Sequence, residues 1–196
     1  VISYAQATQS TLRWLPLGAT DGQQLFQVWW LGTDLGQFAL RIPGVFNEAN
    51  AAAAMATALV AGALPATFAQ TLNSFTGIWR RFETLVNGDI AVINDYAHHP
   101  TSVAGTILAA REFFPNRRVV VAFQPHHHHR LTALFDPFVK ALAMADLVIM
   151  SEVYAVLGPE ETVGMKTTQD VVAALQAMGR QVLYAPSQTA TTEVAR

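Results

Sequence analysis

The chain has 196 residues, of which 52% belong to the hydrophobic set and only 13% are charged, about half the ~25% of an ordinary soluble domain. That balance excludes a disordered chain and predicts a core-rich globular protein of one domain, or one domain plus part of another. A formal charge of −2 without a long basic run gives no electrostatic footprint for nucleic acid or an anionic membrane surface, so neither is expected as a partner. The absence of cysteine excludes disulfides, thiolate metal sites and CxxC redox chemistry, and makes the cytoplasm the default compartment.

Val1 to Arg13 have no basic start followed by an apolar run, so no secretory leader is read there. The segment from Thr11 to Ile42 then reads as β. Thr11 to Leu17, Leu25 to Leu31 and Phe38 to Ile42 are runs rich in Leu, Phe, Val and Trp, separated by the turn-forming stretches Gly18 to Gly22 and Gly32 to Gly36. An antiparallel meander is predicted. After Pro43-Gly44 the pattern changes to helix, with Asn47 as the expected N-cap of an alanine-rich run ending at Leu64. Pro65 starts a shorter helix reaching about Phe75. Ala49 to Trp79 carries no charge, but alanine gains little from transfer into lipid, and Gly62 and Pro65 interrupt the stretch, so a half-buried helical pair is read rather than a membrane span.

From Arg80 onward the chain alternates. Strands are predicted at Ile90 to Asn94, Arg118 to Phe123, Leu147 to Glu152 and Gln181 to Tyr184, with helices between them at Thr101 to Phe114, Arg130 to Met144 and Thr168 to Met178. Continuous apolar strands, each followed by a helix, predict a doubly wound, mostly parallel α/β sheet covered on both faces. The boundary between the two parts is placed at residues 78 and 79. Trp29, Trp30 and the alanine-rich helix are expected to lack packing partners and to promote self-association.

All six histidines lie in two clusters, His98-His99 and His126 to His129, each directly after a predicted strand. Ligands of open α/β sheets bind beyond the carboxyl ends of the strands, so both clusters should line one crevice from neighbouring strands. Asp95 and Arg130 add a carboxylate and a guanidinium to that rim, which suits an anionic ligand. Two other readings stay open: loop histidines and helix caps without a ligand, or a metal site, against which the lack of HxxxH and HExxH spacing counts. Arg80 and Arg81 suit either a charged strand edge or a phosphate contact. Asn47 and Asn50, one helical turn apart, offer amides on one face, either to a base edge or to the helix itself.

Taken in order, these residues resemble the Mur ligases of bacterial cell-wall synthesis. Asn94 to Pro100 is similar to the family's DDYAHHP signature, Phe123 to Arg130 to its FQPHxxxR, and Gly44 to Asn50 to its GxHNxxN; Arg80 to Glu83 and Ser151 to Tyr154 fall in the expected order. The resemblance implies that the chain is the end of a central ATP-binding domain (residues 1–78) followed by a Rossmann-like C-terminal domain (79–196). It also implies ATP-dependent ligation of L-alanine to UDP-N-acetylmuramate through an acyl phosphate in peptidoglycan synthesis, with ATP and magnesium as cofactors. By matched position, Asn47, Asn50, Arg81 and Asp95 would contact ATP, and Tyr96, His98, His126 and Arg130 the muramyl and amino-acid substrates. No metal ligand is assigned to this chain.

The departures matter as well. No GxxGKS/T phosphate loop is present in the 196 residues, so the resemblance implies a piece that does not turn over alone. A non-catalytic nucleotide- or sugar-binding module derived from the family, or a related murein peptide ligase, are the alternatives. Phe46 stands where the family has His, Asn94 where it has Asp, and His127 where it has an Arg that contacts substrate.

Overall fold

The structure is a computed structural model that describes residues 1–20, 22–154, 163–187, 189 and 190. It divides into two units, one formed by Val1–Tyr96 with Ala109–Pro115 and the other by Ala97–Leu108 with Asn116–Arg196. The resemblance placed the boundary at residue 79.

The first unit is built on strands β1 (Tyr4–Ala5), β2 (Leu12–Thr20), β3 (Gln23–Trp30) and β4 (Thr33–Leu40), in the order β1-β2-β3-β4. β2, β3 and β4 form the expected antiparallel meander, while the two-residue β1 adds to it in parallel, which the sequence reading missed. The turns are tighter than predicted: β2 carries Gly18 within a bulge and runs on to Thr20, and β4 resumes at Thr33. Strand period sends Leu12 and Trp14, Phe26 and Val28, and Phe38 and Leu40 to one buried face.

That face is covered by helix α1 (Val45–Val60), whose Ala51, Ala52, Met55 and Ala56 are buried. A 3-10 turn at Pro65–Thr67 leads into α2 (Phe68–Ser74), and Phe68 closes the core against Phe38 with ring centroids 6.5 Å apart. Contrary to expectation, the tryptophans have partners. Trp30 packs against this core, and the Arg13 guanidinium lies 4.5 Å from the Trp29 ring centre.

Two polar residues occupy core-facing positions. Gln24 continues the inward row of Phe26 and Val28, and Glu48 continues the inward stripe of Ala51, Ala52, Met55 and Ala56; both are fully buried. They meet each other: Gln24 Nε2 donates to Glu48 Oε1 at 2.7 Å, and Gln24 Oε1 accepts from the Gly44 N–H at 3.3 Å. Glu48 Oε2 has no hydrogen-bond partner. Burial pushes the Glu48 carboxyl up to about 7, against a lowering contribution from the Gln24 hydrogen bond and with a further push from the nearby Glu112 carboxylate.

The ribbon β5 (Glu83–Asn87) and β6 (Ala91–Asn94) completes the first unit as a separate two-stranded antiparallel sheet. The sequence reading assigned Ile90 to Asn94 to the parallel sheet. The correction has a local cause: Gly88-Asp89 supplies a hairpin turn, so β6 pairs with the strand immediately before it.

In the second unit β7 (Val120–Phe123), β8 (Leu147–Met150) and β9 (Val182–Tyr184) form a wholly parallel sheet in that order, the α/β architecture expected. Helices α4 (His128–Ala133) and α5 (Phe135–Leu142) connect β7 to β8, and α6 (Thr168–Ala177) leads to β9. One continuous helix was predicted over Arg130 to Met144. Pro137 lacks the N–H that would bond back to Ala133 and its ring crowds that carbonyl, so the helix breaks at Leu134, φ −119°. The core gathers Phe123, Leu131, Phe138, Leu142, Val148, Met150, Val171 and Leu175 with Val103 and Ile107 of α3 (Pro100–Phe113). A capping box starts α6: Thr167 Oγ1 accepts from the Asp170 N–H, and the Asp170 carboxylate accepts from the Thr167 N–H, which holds its pKa below the usual range. No helix among the described residues is long and apolar enough to cross a membrane.

The raised Glu48 pKa fixes a sign. The folded state favours the protonated acid, so this group's contribution is most favourable below the unfolded value of 4.5 and is lost as pH rises from there through about 7. Glu48→Gln keeps the acceptor for Gln24 and removes the charge. The variant is expected to be more stable than the parent by about 3 kcal/mol at pH 8 and by close to nothing at pH 4, as read by urea denaturation at both pH values. Equal stabilities at pH 8 would contradict the assignment.

Candidate functional site

In the first unit the entry to α1 is set by Gly44, whose φ of 98° is open to glycine and strained for other residues. A Cβ built there would lie 2.5 Å from Phe46 Cε1, so glycine is also what lets the Phe46 ring lie over the turn. Phe46 is exposed, and Asn50, one turn later on the helix, is exposed too. The expected N-cap role of Asn47 is corrected. Gly44 occupies the cap position, and Asn47 sits inside the first turn, buried, with its Nδ2 donating to Pro43 O at 2.8 Å. Asn47 Oδ1 accepts from Asn50 Nδ2 at 3.4 Å, so the two amides share a face and the inner one holds the outer one.

The same unit contains a tight turn at Trp79–Phe82. Arg80 and Phe82 have φ of 56° and 47°, a left-handed conformation unusual for residues with a Cβ. The turn is tied to the end of β6 at two points. The Phe82 N–H donates to Asp95 Oδ2 at 2.8 Å, and the Tyr96 N–H donates to Arg80 O at 2.9 Å. Both arginine side chains lie against one ring: the Arg80 guanidinium is 4.7 Å and the Arg81 guanidinium 5.8 Å from the centre of Tyr96. Arg81 is exposed, whereas Arg80 is half-buried and also stands 5.5 Å from the Trp79 ring. Glu83 Oε2 accepts from the Arg80 N–H at 3.1 Å and from Asn94 Nδ2 at 3.4 Å. That contact accounts for an amide at position 94, since a second carboxylate there would face Glu83.

In the second unit the carboxyl ends of the parallel strands carry the other candidates. The pairing of β7 with β8 continues past both strands: the Ser151 N–H donates to Phe123 O, the Tyr154 N–H to Pro125 O and the His127 N–H to Tyr154 O, at 2.9, 2.8 and 3.1 Å. This sets the His126 ring 5.5 Å from that of Tyr154. The four-histidine run resolves into separate roles. His126 lies against Tyr154, His127 turns the chain into α4 with φ 62°, His128 Nδ1 is 3.1 Å from Lys166 O, and His129 is exposed. Arg130 follows on α4, half-buried.

His99 fits the bland reading, since its Nδ1 accepts from the Thr101 N–H at 3.3 Å at the start of α3. His98 is half-buried in the loop before that helix. The expectation that both clusters follow neighbouring strands of one sheet is corrected, because β6 pairs with β5 and not with β7. Asn47, Asn50, Arg81, Asp95 and Tyr96 fall in the first unit, and His98, His126 and Arg130 in the second. Among the described residues no group of three or more His, Cys, Asp or Glu could hold a metal ion.

At the strand ends of the second unit, Glu152, which the sequence reading placed either in the crevice or at an edge, belongs to a polar chain whose other members that reading passed over. The Tyr184 hydroxyl donates to Glu152 Oε2 at 2.7 Å and accepts from Gln169 Nε2 at 2.9 Å, while Gln124 Nε2 holds the Glu152 carbonyl at 3.1 Å. The bond to Glu152 raises the Tyr184 pKa. The signal was present in the sequence, because Tyr184 ends a strand, Gln124 and Glu152 stand just beyond strands and Gln169 is in the first turn of a helix.

A family profile described as "Mur ligase, glutamate ligase domain" matches residues 80–196. The chain is 34% identical over 187 residues to a UDP-N-acetylmuramate-L-alanine ligase of Sulfurihydrogenibium sp. (strain YO3AOP1), covering 94% of this chain and 39% of that protein. It is 39% identical over 194 residues to the ligase of the same name from Acidothermus cellulolyticus, covering 97% and 40%. The crystal structure of a UDP-N-acetylmuramate-alanine ligase from Thermotoga maritima is similar with a TM-score of 0.78 at 27% identity, covering 95% of this chain and 39% of that one. A folylpolyglutamate synthase of Mycobacterium tuberculosis, complexed with ADP, shares the fold with a TM-score of 0.70 at 19% identity, covering 95% and 40%. The chain thus spans 39 to 40% of the length of these proteins.

The Asn94–Glu83 contact generates a test of its own. Asn94→Asp replaces a donor by a like charge and is expected to destabilise the chain by about 0.5–1 kcal/mol at pH 7. The loss should shrink in about 1 M salt, which screens the repulsion, and urea denaturation at low and high salt measures it. A salt-independent loss would show that repulsion is not the cause.

Proposed function

Since this chain belongs to the Mur ligase family, we propose that it forms part of an ATP-dependent ligase joining L-alanine to UDP-N-acetylmuramate in peptidoglycan synthesis. The observation that carries this reading is the Trp79–Phe82 turn, whose Phe82 N–H holds the Asp95 carboxylate while the Arg81 side chain lies against Tyr96. A guanidinium neutralises charge on a phosphoryl group, and a carboxylate accepts from ribose hydroxyls.

In the proposed reaction the muramyl carboxylate attacks the γ-phosphorus of ATP and ADP leaves. The L-alanine amine then attacks the acyl carbon, inorganic phosphate leaves, and the amine loses a proton. Phe46 offers its exposed ring to the adenine face, and Asn50, held by Asn47, offers amide groups to the base edge. Asn47 thus acts on adenine through Asn50, with its own Nδ2 occupied by Pro43 O. Arg81 counters the phosphate charge. Tyr96, His98, His126 and Arg130 are assigned to the muramyl and amino-acid side, with the His126 imidazole oriented by Tyr154.

Magnesium belongs to this chemistry as a partner of the triphosphate, yet the described residues do not make a cage for it: they bring no three candidate ligands together. None of the roles above depends on a metal bound by this chain.

Calorimetric titration with ATP in the presence of magnesium, and separately with UDP-N-acetylmuramate, tests the reading. Arg81→Ala is expected to weaken ATP binding at least tenfold and leave the sugar nucleotide unaffected, and Arg130→Ala to do the reverse. Gly44→Ala, which drives a methyl group into the Phe46 ring, should also weaken ATP binding. Binding of neither compound by the parent chain would end the claim of a ligand-binding role for this chain alone.

A further inference from the structure

We infer that Arg80 is a positioning residue for the nucleotide-facing pair Arg81 and Asp95, acting through its stack on Tyr96 and its backbone bond to that residue. The inference rests on the reading of Arg81 and Asp95 as ATP contacts and names what keeps them in place.

Arg80 and Phe82 both hold the left-handed backbone that L side chains rarely adopt, and neither is glycine. Such a turn persists only where its surroundings over-determine it. Arg80 supplies several of the restraints. Its N–H is taken by Glu83 Oε2, its carbonyl by the Tyr96 N–H, and its guanidinium by the rings of Tyr96 and Trp79 at 4.7 and 5.5 Å. The neighbouring Arg81 has less. It is exposed, its N–H is held by Ile78 O, and its guanidinium stands farther from Tyr96, at 5.8 Å.

The two arginines therefore divide the work. Arg80 spends its planar cation on aromatic faces, and Arg81 keeps its donors toward solvent. Asp95 depends on the same clamp: its Oδ2 is oriented by the Phe82 N–H, which points inward only while the turn keeps its left-handed pair. Loosening Arg80 releases Tyr96, then the turn, then the bond to Asp95. The relevant property of Arg80 is its flat, stackable guanidinium and not its charge, because a lysine ammonium cannot cover two rings at once.

Two measurements on the full chain test this with Arg80→Ala, Arg80→Lys and Tyr96→Leu. In amide hydrogen exchange by NMR, the amides at positions 82 and 96 should lose at least tenfold protection in all three variants, while amides of the β2-β3-β4 meander keep theirs and the urea midpoint stays near that of the parent. In calorimetry with ATP and magnesium, both Arg80 variants should bind about tenfold more weakly than the parent. Parent-like exchange in Arg80→Ala overturns the inference. So does full rescue by Arg80→Lys, which would leave charge alone as the contribution of position 80. If the parent binds no ATP, the nucleotide reading of Arg81 and Asp95 fails, and the exchange result still decides whether Arg80 holds the turn.

Discussion

The first unit depends on a hydrogen bond between two polar side chains that the fold has taken out of water. Gln24 belongs to the inward row of a strand and Glu48 to the inward stripe of a helix, where apolar residues would ordinarily stand. Either one alone would leave a buried polar group unsatisfied, a loss of about 1–3 kcal/mol. Together they link β3, the Gly44 turn and α1. The rotation of α1 about its axis follows from that link, and the rotation decides that Asn47 is buried while Phe46 and Asn50 face outward. A polar pair at the base of the helix thus specifies which residues its first turn presents, an instance of buried polar groups selecting one arrangement among several apolar ones.

Much of this was legible in the chain. The strands of the meander, the alanine-rich helix, the break at Pro65 and the parallel strands β7, β8 and β9 follow from period and composition, because burial on one face or on both is written directly into the hydrophobic pattern. What was misread depended on partners. β6 has the apolar content of a parallel strand, and only its pairing with the preceding segment across Gly88 distinguishes it. The break between α4 and α5 was readable from Pro137. Asn47 has the chemistry of an N-cap, but the strain-free positive φ of Gly44 moved the helix start ahead of it.

The residues of the candidate site came largely from motif resemblance, and the structure sorts them by what they touch. Within one histidine run, adjacent residues face an aromatic ring, a left-handed turn and a backbone carbonyl. No spacing rule separates those roles, because each is set by the segment Ser151 to Tyr154 or by Lys166, both distant in sequence. Gln24 and Glu48 were missed for the opposite reason. Their spacing is regular, and a regular row invites the assumption that each member is apolar or exposed.

The pairing of the strands carries a consequence for the order in which the chain acquires its shape. Thr20 meets Gln23 and Trp30 meets Thr33, whereas Val120 must find Leu147 and Val148 must find Val182. Closing a long loop sacrifices more chain entropy before any contact compensates, so the meander is the half that forms readily from its own neighbours. The parallel sheet must wait for α4, α5 and α6 to shorten the effective distance between its strands. His126, Tyr154 and Glu152 stand at the ends of those late-pairing strands, so their geometry is among the last features of the chain to be established during folding and the first to be lost when the sheet opens.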